Sequence, residues 1–84
     1  MSSSDLTNLA ISKVVDARGS ACPGPLLEAK KGIGQINVGD ILEIKSNDPV
    51  TRHDIPAWAR KVGHDYLGFL EAEGHDRIFV TRRQ

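Results

Sequence analysis

Residues Gly19–Leu26, with the sequence Gly-Ser-Ala-Cys-Pro-Gly-Pro-Leu, organise the chain around them. A short strand pattern, Ser12–Asp16, precedes this segment, and a helical pattern continues from it to Lys31. Proline is tolerated in the first turn of a helix because the backbone N–H groups there have no intrahelical acceptor. Pro23 and Pro25 therefore predict a helix that begins at Pro23, with Cys22 at or just before its N-cap.

Cys22 is the only cysteine in the chain. At a helix N-terminus, free N–H groups and the positive end of the helix dipole favour the thiolate, and Arg18 adds positive charge nearby. A free cysteine is also often a small buried apolar residue. Its position between a Gly-Ser-Ala turn and two prolines favours the reactive thiol, although the buried alternative stays open.

The composition predicts one small domain. Its 84 residues are enough to bury about 60–65% of the unfolded surface. We expect a flexible polar leader over residues 1–12 and a single domain over residues 13–84. Eleven basic and eleven acidic residues cancel, which argues against a non-specific nucleic-acid or membrane binder. No membrane-spanning stretch, secretory signal or internal disulfide is visible, so we expect a cytoplasmic protein.

The first helix has apolar residues at helical spacing: Leu26, Ala29, Ile33 and Ile36. Gly32 and Gly34 each weaken a helix by roughly 1 kcal/mol relative to alanine. The helix is therefore expected to end between Lys31 and Ile36. The next segment, Ile41–Lys45, alternates with the period of a strand and places Leu42 and Ile44 on its buried face.

A second helix is predicted to run to about Val62, where Gly63 ends it. Its start has two readings: Thr51 with Asp54 resembles a capping box, yet Pro56 is easier to place if Asp54 is the cap. Its predicted buried stripe consists of Ile55, Trp58, Ala59 and Val62.

The chain closes with two strands, Tyr66–Ala72 and Arg77–Thr81, joined by a hairpin turn at residues 73–76. The order is β-α-β-α-β-β, which predicts an α/β chain of the α+β two-layer type, with two helices on one face of a four-stranded mixed sheet. If the first two strands are parallel, the loops that carry Cys22 and Asp48 lie at the same edge of the sheet, where ligand chemistry usually occurs.

Other candidate sites are weaker. His53, His64 and His75 with one cysteine have no zinc-ligand spacing and are expected at the surface, so no metal or cofactor is predicted. Arg82 and Arg83 are a weak nucleic-acid footprint on a neutral domain. A further pair, Lys30 and Lys31, fits either a solvated helix face or a docking surface.

These motifs, taken in order, resemble the TusA/SirA-like sulfur-carrier family. The residues concerned are Asp16-Ala17-Arg18-Gly19, Cys22-Pro23-Gly24-Pro25, Asp48-Pro49 and Asp54-Ile55-Pro56. The likeness extends from Val14 to Arg82. It departs from the family at Ser20, where a bulky apolar residue is common, and at the two glycines of the first helix.

The resemblance implies a sulfurtransferase that holds sulfane sulfur as a persulfide on Cys22, with Arg18, Gly19, Pro23, Gly24 and Pro25 as the supporting motif. The resemblance also implies that the protein works in a sulfur relay, of the type that serves tRNA thiolation, molybdenum-cofactor synthesis or sulfur oxidation. Persulfide donors and sulfur acceptors of the cysteine desulfurase, rhodanese or DsrE-like type are the expected partners.

The candidate residues for partner docking are Lys30, Lys31 and Asp48, and we expect a monomer when free. A single thiol suits a carrier, because a second thiol nearby would attack the persulfide and release sulfide. Two alternatives remain: a non-catalytic regulatory or RNA- or protein-binding module in which Cys22 is structural, and a peroxide-sensing thiol.

Overall fold

The computed structural model describes residues 10–20 and 24–84, and its six elements follow the predicted order β-α-β-α-β-β. They are β1 (Ile11–Asp16), α1 (Gly24–Ile33), β2 (Ile41–Ser46), α2 (Thr51–Val62), β3 (Asp65–Ala72) and β4 (His75–Thr81). β1 begins at Ile11, one residue before the strand pattern predicted over Ser12–Asp16. No helix within the described ranges is long and apolar enough to cross a membrane.

The four strands form one mixed sheet in the order β1-β2-β4-β3. β1 and β2 run parallel, as predicted, while β4 is antiparallel to both of its neighbours. The helices cover one face of the sheet, and the predicted two-layer sandwich is confirmed. Because β1 and β2 are parallel, the loops that follow them leave the sheet at the same edge.

The main core lies between this face of the sheet and both helices. Leu42 and Ile44 point into it from β2 and are fully buried, which confirms their predicted place on the core face of the strand. Trp58 is a core residue, as expected, with 7% of its surface exposed. The cluster contains Val15, Ala29, Ile33, Ile36, Leu42, Ile44, Ile55, Trp58, Ala59, Ile78 and Val80, with Leu26 and Tyr66 packed against it.

Gly32 lets α1 approach the sheet closely. A Cβ atom at this position would lie 2.6 Å from Val15 Cγ2 and 3.1 Å from Leu42 Cδ1. Such distances are shorter than the 3.5–4.0 Å or so at which carbon atoms pack. The residue that weakens the helix in isolation is therefore required by its packing. The helix ends at Ile33, inside the predicted interval.

The start of α2 differs from the predicted capping box. The helix begins at Thr51, but the Thr51 hydroxyl pairs with the Ser46 hydroxyl at 2.9 Å instead of capping a backbone N–H. Asp48 instead accepts hydrogen bonds from the backbone at the start of the helix. Its Oδ1 accepts from the Val50 N–H (3.0 Å), and its carbonyl accepts from the Thr51 N–H (3.1 Å). Gly63 ends the helix in the left-handed conformation, φ +85°, as predicted.

The predicted stripe of α2 is buried except at its end. Val62 is 40% exposed because it is the last helical residue, where the chain turns off through Gly63. On the other face of the sheet, Glu43 is buried as well, although its alternation predicted a polar, outward position. Its carboxylate accepts from Arg77 (3.0 and 3.2 Å), and the Arg77 guanidinium lies 5.4 Å from the ring of buried Phe79.

Candidate functional site at the edge of the sheet

The chain leaves β1 through a tight turn over residues 17–20. The Ala17 N–H donates to the Lys45 carbonyl (2.8 Å), and the Ser20 N–H closes the turn on the Ala17 carbonyl (3.2 Å). Gly19, the third residue of this turn, has φ +85°. A side chain is disfavoured there, which gives the motif glycine a conformational reason.

Asp16 and Arg18 build the turn from their own side chains. Asp16 Oδ1 accepts from the backbone N–H of Arg18 (3.1 Å) and from its Nε (2.9 Å), and Oδ2 accepts from Nη2 (2.7 Å). These bonds hold the pKa of the Asp16 carboxyl well below its usual range. Arg18 was expected to add positive charge beside Cys22; in this turn its guanidinium is paired with the Asp16 carboxylate.

Asn47 connects this turn to the loop after β2. Its Oδ1 accepts from the Gly19 N–H at 3.0 Å, across 28 positions of sequence. The predicted neighbourhood of the two loops is thereby confirmed at Gly19 and Asn47. Asn47 was not among the site residues predicted from the sequence. The sequence feature that could have identified Asn47 is its position immediately before Asp48-Pro49, at the end of a predicted parallel strand.

Cys22 and Pro23, the two central residues of the predicted site, lie outside the described residues, as does Ala21. The residues on either side are in contact: a Cβ atom at Gly24 would lie 2.9 Å from Ser20 Cβ. Gly24 is the first described residue of α1, and Pro25, which follows it, is fully buried in the first turn. Pro25 is thus a packed helical residue and not part of a free loop.

The predicted docking residues lie on α1 and on the loop between β2 and α2. Lys30 and Lys31 are exposed in the last turn of α1. Asp48 is half-buried and serves the start of α2 through its bonds to Val50 and Thr51. Leu27, on the first turns of α1, was not predicted as a site residue, yet it is 56% exposed.

A groove of about 310 Å³ lies next to Asn47, between the loop after β2 and the β3–β4 hairpin. Arg52 crosses it, donating to both carboxylate oxygens of Asp76 (2.6 and 2.9 Å) and to Glu71 (3.2 Å). The bonds to Asp76 raise the pKa of Arg52 above its usual value. Arg52 also stacks on Phe69, 4.8 Å from the ring centre, and so joins α2 to the hairpin.

Three further candidates from the sequence, Arg82, Arg83 and His64, have structural partners. Arg82 donates to the Ile36 carbonyl, and Arg83 pairs with Asp65 at 2.6 Å. His64 Nδ1 accepts from the Arg83 N–H (3.1 Å), and its ring packs edge-on to Trp58. Across residues 10–20 and 24–84, no three metal-binding side chains come together.

Comparisons with known proteins agree with the fold and with the family resemblance. A family model described as sulfurtransferase TusA matches residues 13–82. A putative sulfur carrier protein of Archaeoglobus fulgidus is 45% identical over 69 residues, covering 82% of this chain and 94% of the relative. The sulfur carrier protein TusA of Pseudomonas entomophila is 35% identical, covering 93% of this chain and 98% of its own. A crystal structure of a SirA-like protein from Desulfitobacterium hafniense has the same fold, with a TM-score of 0.75 at 22% identity, over 86% of this chain and 99% of that one.

Proposed function

Because this chain belongs to the TusA family of sulfur carriers, we propose that it accepts sulfane sulfur as a persulfide on Cys22 and passes it to a partner protein. The observation that supports this most is the placement of the chain's one cysteine. In the sequence it lies between a turn fixed by hydrogen bonds and the first turn of a helix in which Pro25 is buried. A rigid support on both sides suits a residue that must be presented to other proteins.

The chemistry requires only a thiolate. In the loading step, Cys22 attacks the outer sulfur of a donor persulfide; a new S–S bond forms on Cys22 while the donor S–S bond breaks, and the donor cysteine leaves as a thiolate. In the transfer step, an acceptor nucleophile attacks the same sulfur and Cys22 leaves as the thiolate. No net oxidation occurs in either step. The protein acts stoichiometrically, as a sulfurtransferase between partner enzymes.

The α1 side of the site is the proposed surface for these partners. Lys30 and Lys31 supply exposed positive charge there, and Leu27 supplies exposed apolar surface nearer the start of the helix. Asp48 belongs to the loop after β2, whose Asn47 accepts a hydrogen bond from the turn. Charges of this kind mainly raise the rate of association, while an apolar contact stabilises the docked complex.

The expected donors and acceptors are proteins of the cysteine desulfurase, rhodanese or DsrE-like type, met in the cytoplasm by a monomeric carrier. Direct nucleic-acid contact is not part of the proposal. The two arginines that suggested it, Arg82 and Arg83, are engaged with Ile36 and Asp65. The terminal basic pair thus serves packing of the C-terminal segment.

The experiment is an intact-mass measurement after incubation with a cysteine desulfurase and free cysteine, with a parallel sample treated with peroxide. The carrier gains one sulfur atom that a thiol reductant removes. A peroxide-sensing thiol gains oxygen from peroxide and no sulfur, and a binding module gains neither.

The matched control is Cys22→Ser, which keeps the size of the side chain and removes the nucleophile. Far-ultraviolet circular dichroism verifies that the variant is folded. Sulfur uptake by the folded serine variant would contradict the assignment to Cys22.

A further inference from the structure

The backbone ladder between β1 and β2 continues past the end of β1 through a side chain. In a parallel pair, backbone donors and acceptors of the two strands alternate at regular spacing. The Ala17 N–H still follows this pattern when it donates to the Lys45 carbonyl (2.8 Å). Two residues later the chain has turned, and the Gly19 N–H donates to Asn47 Oδ1 (3.0 Å), with Asn47 itself two residues after Lys45. The amide oxygen of Asn47 therefore takes the place of a backbone carbonyl.

The loop that supplies this oxygen is itself firmly held. Ser46, just before Asn47, is fully buried, and its hydroxyl pairs with Thr51 at 2.9 Å. The same Ser46 oxygen accepts from the Asp48 N–H at 3.1 Å. Asn47 thus lies between two anchored residues, so its bond to Gly19 joins the turn before Cys22 to a rigid part of the sandwich.

We propose that Asn47 is a positioning residue for sulfur transfer, one that fixes the direction in which the chain leaves β1 toward Cys22. This inference rests on the proposed function for its transfer step, though the hydrogen bond itself does not. Asn47 takes no part in the bonds that form and break during sulfur transfer. It acts through Gly19, whose positive φ directs the turn.

The test uses Asn47→Ala, which removes the acceptor, and Asn47→Asp, which keeps an oxygen in the same place. Asn37→Ala is the matched control, since Asn37 is an exposed asparagine in the turn before β2. Three quantities are measured on the folded variants: hydrogen exchange of the Gly19 amide by NMR, the rate of sulfur transfer from the loaded carrier to a protein acceptor, and the rate of Cys22 alkylation by iodoacetamide.

In Asn47→Ala, we expect Gly19 exchange to accelerate and transfer to slow by about five-fold each, the factor that corresponds to one net hydrogen bond. Asn47→Asp should return both to within about a factor of two of wild type, because a carboxylate accepts at least as strongly as an amide. Asn37→Ala should change neither. Rescue by aspartate separates positioning from a general loss of stability.

Two results would overturn the inference: unchanged Gly19 exchange in Asn47→Ala, or faster exchange with an unchanged transfer rate. A wild-type protein that takes up no sulfur would instead refute the proposed function. The rate of Cys22 alkylation then replaces transfer as the readout. We expect this rate to differ between wild type and Asn47→Ala, and identical rates would overturn the positioning role on their own.

Discussion

Replacing Gly32 by alanine tests how closely α1 packs on the sheet. The new Cβ atom would lie 2.6 Å from Val15 Cγ2. Restoring an ordinary contact of about 3.5 Å therefore requires a displacement of about 1 Å. Overpacking of this kind costs about 1–3 kcal/mol, against a gain of about 1 kcal/mol in helix propensity. We expect the free energy of unfolding to fall by up to about 2 kcal/mol, since neither buried Val15 nor Leu42 has free space to move into.

Gly34→Ala is the matched control, two residues further along the chain. A Cβ atom there would approach nothing closer than 3.6 Å, and Gly34 does not have positive φ. This change should leave stability unchanged or raise it by up to about 1 kcal/mol, by restricting the unfolded chain. Urea unfolding followed by the fluorescence of Trp58, the only tryptophan, measures both variants. If Gly32→Ala were as stable as Gly34→Ala, the close approach of α1 to β1 and β2 would be refuted.

Three further predictions concern the surface, the pH dependence and the thiol. Lys30→Glu with Lys31→Glu should leave the fold and sulfur loading from small molecules unchanged while slowing transfer to a protein partner, most at low salt; equal partner rates at low salt would instead favour a solvated helix face. Burial, with a smaller contribution from the Arg82 charge, lowers the pKa of His64. Below about pH 6.5 the unfolded chain therefore binds more protons at His64 than the folded protein does. The stability that comes from burying neutral His64 is present above that pH and is lost as the pH falls. Unfolding curves at pH 5.5 and 7.5 should differ less for His64→Asn than for wild type, and an undiminished difference would contradict this. Cys22 should have a pKa below the usual value of about 8.5, seen as a lower midpoint in the pH dependence of iodoacetamide alkylation; a midpoint at or above that of a free thiol would refute it.

The fold was predictable because its periodicities are local and unambiguous. Leu42 and Ile44 alternate in β2, and the α1 residues Ala29 and Ile33 recur at helical spacing, so the burial of each could be assigned from the sequence alone. The order of elements then left few ways to cover one face of a four-stranded sheet. Within the α2 stripe, only the last residue, Val62, was assigned wrongly.

The features that could not be predicted depend on how the strands and helices pack against one another. Glu43 alternates as a surface residue does, and it is buried because Arg77 lies on the neighbouring strand, 34 positions away. Thr51 has the sequence context of a cap, but its hydroxyl is taken by Ser46 once β2 and α2 have packed. No local pattern contains either pairing.

The candidate site shows the same division. Its motif residues were identifiable, since a cysteine between a glycine turn and two prolines is distinctive in any sequence. Asp16, the ion-pair partner of Arg18, lies only two residues before it in the sequence. Which carboxylate the arginine pairs with nevertheless depends on the geometry of the turn. The bond from Gly19 to Asn47 needed the parallel pairing of two strands before it could be recognised.

Persulfide transfer is tested most directly by following one sulfur atom through Cys22. The protein is loaded with radiolabelled sulfur by a cysteine desulfurase, purified away from the donor, and mixed with an unlabelled acceptor protein of a sulfur relay. We expect the label on the peptide containing Cys22, in at most equimolar amount, and then on the acceptor as it leaves the carrier. Label that stays on Cys22, or that is released only as free sulfide whatever acceptor is offered, would contradict the carrier function.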